Sequence, residues 1–284
     1  MENNKYKLTN NTKELYGKVL YQIKALKSFG NIDKNELGGY IEKEANLSSS
    51  GDAWVSGNAW VYGNAWVYGN ASVYGNACVS GDACVSGDAC VYGDAWVSGN
   101  ACVSGNAWVY GNASVYGNAS VYGDACVSGN ACVSGNASVF GDASVFGDAR
   151  VFGDARVFGD ARVYGNACVY GNACVYGDAS VFGDASVYGN ACVYGNASVF
   201  GDARVSGDAS VFGNASVYGS INFEFGRCFG SKGKDWNVTE LTNGEEILLI
   251  KDYKTSTKIE VKEMTVNEVS KLLGYEIKIK REDE

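Results

Sequence analysis

The chain has 284 residues, 32 acidic and 23 basic side chains, a net charge of −9, ten cysteines, and neither histidine nor proline. An acidic body is repelled by phosphate backbones and anionic lipid, which argues against direct binding of nucleic acid or membrane. Without histidine the chain lacks the side chain that ordinarily titrates near neutral pH, hence the usual general base and a common zinc ligand.

Residues 1–50 read as an N-terminal cap. Met1-Glu2-Asn3-Asn4-Lys5 leads into polar residues rather than an apolar run, so no secretory signal is read. No stretch approaches the ~20 apolar residues of a transmembrane helix. Ten cysteines without an export signal then imply a reducing cytoplasm and free thiols. Val19, Tyr21, Ile23 and Ala25 alternate with Leu20, Gln22, Lys24 and Leu26, which predicts a strand. Tyr16-Gly17-Lys18 is the turn before it, with Lys13 to Leu15 leading in. Phe29-Gly30-Asn31 and Leu37-Gly38-Gly39 read as loops. From Ile41 to Ser50 a faint six-residue register begins, with Ile41 and Leu47 in the later alanine slot and Asn46 in the Asn/Asp slot. This reads as a degenerate first turn that seals an open sheet edge.

From Gly51 to Tyr218 one unit, Gly-[Asn/Asp]-Ala-x-Val-[Tyr/Phe/Ser], is repeated 28 times without an insertion. Such a repeat dictates the architecture. Ala-x-Val-[Tyr/Phe/Ser] alternates side to side like a short strand, and Gly-[Asn/Asp] turns the chain cheaply. The third residue is always Ala and the fifth always Val, so that face is the buried one. The x slot holds Ser ten times, Cys nine, Trp five and Arg four. Tryptophan and arginine cannot share one narrow core slot with serine, so x faces outward. The sixth slot, Tyr 13 times, Ser eight and Phe seven, is expected to face outward too.

These residues resemble the hexapeptide-repeat left-handed β-helix proteins, whose inward pattern is an aliphatic residue followed by a small one. The uninterrupted Gly-[Asn/Asp]-Ala-x-Val-[Tyr/Phe/Ser] array looks most like uncharacterised bacterial and phage hexapeptide-repeat proteins. It departs from them in having mostly Ser, Cys or Trp where they often have Arg. The resemblance implies an all-β fold: a parallel, left-handed β-helix solenoid with three hexads per coil, residues 18 apart stacked, and about nine coils. The expected domains are the cap over 1–50, the solenoid over 51–225, a linker over 226–234 and a small α+β C-terminal domain over 235–284.

At the far end, Ile221 and Phe223 enlarge the two inward positions and would plug the prism. Gly226 to Lys234 is glycine-rich and reads as the linker. Glu246 to Lys251 and Lys258 to Lys262 read as a hairpin around Lys254-Thr255-Ser256. Thr265-Val266-Asn267-Glu268 is a capping box opening a helix that Gly274 ends, with Met264 and Val269 as its staple, and Tyr275 to Lys280 is a last strand.

Between Gly51 and Tyr218 there are 13 Asp and four Arg, so the solenoid carries the net charge. Its candidate binding residues are the outward aromatics Trp54, Trp60, Trp66, Trp96 and Trp108, the ladder Tyr74, Tyr92 and Tyr110, and Arg150, Arg156 and Arg162. Phe140, Phe158, Tyr176 and Tyr194 form a further ladder. The three arginines fall on three faces of one coil. Each follows an aspartate two residues earlier (Asp148, Asp154 and Asp160), which reads as exposed ion pairs of small worth. Cys84 stacks on Cys102 and Cys174 on Cys192 at a spacing a disulfide can span, although small tolerated surface residues explain them as well. The cysteine spacings are multiples of six set by the repeat, so no metal site is read. Neither a catalytic residue nor a cofactor site is read.

The function that follows is a non-enzymatic scaffold or binding protein whose outer faces meet a protein partner or other copies of itself. A homo-oligomer through a face or through the C-terminal domain fits this reading. The phage resemblance extends it to an inhibitor of a host defence protein. The alternative is a degenerate acyltransferase binding acyl-CoA between subunits. The resemblance implies a histidine base for such enzymes, and often a loop that breaks a coil, and this array has neither.

Overall fold

The computed structural model describes residues 3–220, 222–224, 226–230, 237–240 and 247–250. The first three strands are β1 (Tyr6–Leu15), β2 (Lys18–Ala25) and β3 (Leu37–Ile41). Thereafter every hexad contributes one short strand centred on its x–Val pair, from Trp54–Val55 to Asn222–Phe223. The strands align into three sheets of 13, 10 and 12 strands, the three faces of a prism. Pairing is parallel and in register at three hexads, as in Trp54 on Ser72, Trp60 on Cys78 and Trp66 on Cys84. We name the faces after these tryptophans. The Trp54 face counts ten strands, hence about ten coils.

Backbone chemistry explains why so short a strand persists. In each coil the N–H groups of the second, fourth and sixth residues donate to the next coil. Asn58 donates to the Gly75 carbonyl at 2.8 Å, Trp60 to Ala77 at 2.9 Å and Tyr62 to Val79 at 3.0 Å. The corners are therefore hydrogen-bonded as well as the flats, which satisfies groups that an isolated turn leaves to water. Inside, every alanine from Ala53 to Ala215 and every valine from Val55 to Val211 is 0% exposed. Full burial of a valine side chain contributes about 1.5 kcal/mol or more, and the array supplies three per coil.

The cap departs from the sequence reading in instructive ways. β1 and β2 form an antiparallel hairpin whose tip, Tyr16 and Gly17, has φ of 49° and 74°. Two successive positive φ values suit the turn that matches strand twist. Leu37-Gly38-Gly39, read as a loop, is instead the start of β3, which pairs with β2 and, in parallel, with Trp60–Val61. The glycines mark a close approach. A Cβ on Gly38 would stand 2.5 Å from Ile23 and 2.6 Å from the Val55 carbonyl, because this strand is drawn across the open end of the prism. Ile41 and Leu47 are buried, but over Val61 and Val67 rather than in the alanine column. That offset is two positions longer than three hexads, because Ser48-Ser49-Ser50 lengthens the passage into the first full coil. Asn46 is fully buried, and its amide donates to the Gly63 and Ala65 carbonyls, pairing acceptors at the coil end.

Lys5 fastens the cap. It is 1% exposed, donates to the Ser48 and Ala53 carbonyls, and lies 4.7 Å over the Phe29 ring. Burial draws its ammonium down to about 8, against the pull of Asp52. An unfolded chain holds that proton until pH 10.5. Between pH 8 and 10.5 unfolding therefore takes up a proton at Lys5, and the contribution of this group to stability should rise with pH across that window. Urea midpoints at pH 7.5, 9 and 10.5 test this. The wild type should gain on Lys5→Met across this window, since the buried phenols and thiols that oppose the rise are common to both.

At the other end Phe223 takes the valine position over Val205 and is 6% exposed, as a plug should be. Ile221 lies outside the described residues. Arg227–Gly230, read as linker, is a strand laid parallel on Ser210–Gly213, with Cys228 in the valine slot and 4% exposed. Its register is one position short of three hexads, so one residue has been dropped from the last coil and the hexad spelling is lost. Asn237–Glu240 pairs antiparallel with that strand, and Ile247–Ile250 with Asn237–Glu240. The strand expected near residue 247 therefore has a partner upstream of it. Lys258 to Lys262, the capping-box helix and the last strand lie outside the described residues.

Candidate functional site

With alanine and valine inside, all the chemical variety of the array lies on the skin, and the structure sorts it into columns. The sixth-slot rings stack coil upon coil at the corners. Tyr74, Tyr92 and Tyr110 form one ladder, with centroids 4.8 and 4.9 Å apart. Phe146, Tyr164, Phe182, Phe200 and Tyr218 continue on the same corner. Tyr122, Phe140, Phe158, Tyr176, Tyr194 and Phe212 make the longest run, and Phe152, Tyr170 and Tyr188 the third corner's. Their planes lie within 9° of parallel. The backbone ladder fixes this spacing, and each pair adds about 0.5–1 kcal/mol.

The sixth slot is only half outward. Where a serine follows a tyrosine in the column, the tyrosine leans over it. Ser80, Ser86, Ser128, Ser134 and Ser206 lie beneath Tyr62, Tyr68, Tyr110, Tyr116 and Tyr188 and are buried to 8% exposure or less. Ser56, Ser98 and Ser104 have no ring above them and stay partly exposed.

Of the candidate binding residues, Trp66, Trp96 and Trp108 are exposed at 48, 43 and 47%. They lie on three different faces and are not brought together. Trp54 is a correction. It is 3% exposed, sealed edge-on by Tyr6 and Phe29, and belongs to the cap's core. Trp60 is half-buried, with its indole nitrogen shielded. Tyr74 is exposed, whereas Tyr92 and Tyr110 are half-covered by their ladder. Arg150, Arg156 and Arg162 are exposed on separate faces. They do not pair with the aspartates before them; the ion pair among the described residues is Lys18 with Glu42 at 2.8 Å. The x slot projects from a flat and the aspartate sits round the preceding corner, so the two diverge.

The second slot forms its own columns. Asparagine amides donate to the residue one coil on, for example Asn70 to Asp88 at 2.8 Å, Asn106 to Asp124 at 2.7 Å and Asn118 to Asn136 at 2.9 Å. An amide between carboxylates separates like charges and spends a donor on each step. Two runs break the rule, the pair Asp184 and Asp202 and a longer one. Asp124, Asp142, Asp160 and Asp178 follow one another in successive coils with no asparagine between them, and all four are exposed. Each comes two residues after a ring of the longest ladder: Tyr122, Phe140, Phe158 and Tyr176. A strip of stacked rings and a strip of carboxylates therefore run side by side along one corner. Reading the Asn/Asp choice at every third hexad would have found the strip in the sequence.

Among the described residues, no group of three or more His, Cys, Asp or Glu is placed to hold a metal ion. Nor is any helix among them long and apolar enough to cross a membrane.

A family model described as YdcK Beta solenoid repeat matches residues 53–69, 95–111, 149–165, 155–171 and 161–177. Each window starts at an inward alanine and spans one coil. The last three are offset by one hexad, so the family's unit fits the array in every phase. The chain is a repeat β-helix protein. No curated protein matches it. The windows take in the five tryptophans of the x slot, Trp54, Trp60, Trp66, Trp96 and Trp108, and three of its four arginines, Arg150, Arg156 and Arg162.

Proposed function

We propose that this β-helix is a non-enzymatic scaffold that docks a protein with a cationic surface along the ring-and-carboxylate corner. The observation that carries the reading is the run Asp124, Asp142, Asp160 and Asp178 beside the ladder Tyr122, Phe140, Phe158 and Tyr176. Stacked like charges cost stability, and the array holds a remedy that it uses elsewhere, an interleaved asparagine. Arginine and lysine side chains fit such a strip, because the guanidinium or ammonium meets a carboxylate while its stem and charge lie against a ring face. The skin's overall charge favours the same class of partner.

We place the protein nearest the hexapeptide-repeat group on the strength of its inward Ala and Val and its three hexads per turn, and left-handed coils are what that resemblance implies. Occlusion of a basic, nucleic-acid-handling host protein by a phage-encoded inhibitor is the biological role this chemistry suits best.

Fluorescence anisotropy with a labelled arginine-rich peptide, and with an acidic peptide of equal length, tests the docking. The arginine peptide should bind, weaken as salt rises, and lose roughly 3- to 10-fold in affinity for Asp142→Asn/Asp160→Asn. The same double variant should melt no lower than the wild type, since it restores the amide bridges. Equal binding of both peptides, or binding untouched by the double variant, would remove the assignment. A native mass that shows self-association with an unoccupied peptide site would replace the cationic partner by a second copy.

A further inference from the structure

On the Trp66 face, Cys84 and Cys102 occupy the x slots of adjacent coils in direct register. Neither is in a disulfide and both are partly exposed. Five hexads read Cys-Val-Ser, and in four of them the cysteine lies beside a tyrosine of the preceding coil, two positions short of three hexads upstream. Cys126 and Cys132 donate to the Tyr110 and Tyr116 hydroxyls at 3.6 and 3.5 Å, and Cys78 and Cys84 meet Tyr62 and Tyr68. The fifth, Cys102, has Ser86 in that position. With no phenol to meet, its thiol meets the Cys84 sulfur, on which the Tyr68 and Ser86 hydroxyls also converge.

The other stacked pair is built differently. Cys174 and Cys192 are also in register, but Tyr176 and Tyr194 stack beside them at 4.9 Å. Their thiols turn to backbone, Cys174 to the Asn172 carbonyl at 3.8 Å and Cys192 to the Asn190 carbonyl at 3.7 Å. Cys192 also meets the Cys174 thiol, but with no hydroxyl among its partners, whereas Cys84 gathers those of Tyr68 and Ser86.

We propose that Cys84 and Cys102 form a thiol–disulfide exchange site, with Cys84 as the attacking sulfur, Cys102 as the resolving one, and a low-molecular-weight disulfide as the oxidant. The Cys84 thiolate attacks one sulfur of the small disulfide. A new S–S bond forms to Cys84, the old one breaks, and the first small thiolate departs with the electron pair. Cys102 gives up its proton to that leaving thiolate and attacks the Cys84 sulfur. The bond to the small molecule breaks, and the second small thiolate leaves and is protonated from solvent, which restores the proton Cys84 had given up. Two protein thiols are oxidised to one bridge, and one small disulfide is reduced to two thiols.

The environment orders the two steps. The Cys102 thiol, ahead of the Tyr68 and Ser86 hydroxyls, holds Cys84 down at about 6 despite its burial, so it is the thiolate at neutral pH. Donation to that sulfur, and then burial, push Cys102 up. Once Cys84 is capped, the charge that held the Cys102 proton is gone, and the second thiol is released to react. In-register Cα atoms about 4.8 Å apart lie within disulfide range, but Cβ atoms held at the same spacing are wider than the ~3.8 Å of a relaxed bridge. Such a bridge is strained and readily reduced, which suits a reversible reaction.

The test treats fully reduced, full-length protein with oxidised glutathione and reads intact mass and chymotryptic peptides. Wild type should lose two hydrogens and retain no glutathione. Cys102→Ser should keep one glutathionyl group on Cys84, and Cys84→Ser should give neither bridge nor early adduct. Cys174→Ser/Cys192→Ser should behave as wild type. Serine already fills ten x slots, so these variants fit the fold. Iodoacetamide should label Cys84 first, with half its limiting rate near pH 6. Indiscriminate adducts on all outward cysteines, a bridge that survives Cys84→Ser, or a wild type that forms none would overturn the assignment.

Discussion

Gly123→Ala is expected to lower the free energy of unfolding by about 2–4 kcal/mol, whereas Gly219→Ala should cost about 1. The two glycines have the same backbone, with φ of 75° and 76°, so the penalty for placing a side chain in the left-handed region is common to both. They differ in what lies one coil on. A Cβ at Gly123 would stand 3.0 Å from the Gly141 nitrogen and 3.2 Å from its oxygen, whereas at Gly219 nothing among the described residues lies within 4 Å. The neighbour is backbone, and backbone here cannot yield alone. The Gly123 carbonyl accepts from Asn106 N–H at 2.8 Å, so moving the corner loosens a bond to the coil before as well. Urea unfolding followed by far-UV circular dichroism measures both losses. Equal losses would mean that coil-to-coil contact at the corner is not what excludes a side chain, leaving backbone conformation as the whole reason for glycine there.

The repeat made the inside and outside of this architecture legible, because two invariant positions in a period of six mark one buried face, and the resemblance to hexapeptide-repeat proteins implied the coil. Ala and Val inside and x outside follow from the spelling between Gly51 and Tyr218, partners three hexads apart are what the family resemblance implies, and the structure has each of them. Legibility ends where the spelling does. Ile41 and Leu47 seemed to keep the register, but two extra residues at Ser48-Ser49-Ser50 move them from the alanine column to the valine column. Arg227–Gly230 has lost a residue from the repeat and so passed for linker, although it lies on the last coil. Gly38 and Gly39 looked like loop residues because glycine signals both a turn and a close approach of backbones, and only coordinates distinguish them. Among site residues, ladders were legible and coverage was not. Trp54 has the same slot as Trp66, but the cap lies over the first coil of its face. The special position of Cys102 was written in the sequence, as a Cys-Val-Ser lacking its upstream tyrosine, and could be read only once the tyrosines were seen to lean onto the next coil.

Ala143→Leu should split the unfolding of the molecule as well as weaken it. Ala143 is 0% exposed, between Ala125 and Ala161 in the same inward column. The coil carbonyl and amide beside it are held at 2.9 Å to both neighbours, by Cys126 N–H to Ala143 and Ser144 N–H to Ala161. Three added carbons have no axial room in a stack repeating at about 4.8 Å, so they must displace valines of the same coil, at a cost of about 3 kcal/mol or more. The chain itself places large inward groups only at the ends, Ile41 and Leu47 at one and Phe223 at the other, where one side of the coil is free of the next. A solenoid's stability is a sum of coil terms and nearest-neighbour contacts, so a lesion in the middle uncouples two segments, whereas the same lesion at Ala203 frays one end. The tryptophans provide the measurement. Trp54, Trp60, Trp66, Trp96 and Trp108 all precede residue 143, and Trp236→Phe silences the sixth. In the wild type, fluorescence and circular dichroism should report one coincident transition. In Ala143→Leu, circular dichroism should fall in two steps, with fluorescence following only the step that belongs to the capped N-terminal coils. Coincident curves in the variant would show that the stack transmits a defect along its whole length, and that its contacts reach beyond nearest coils.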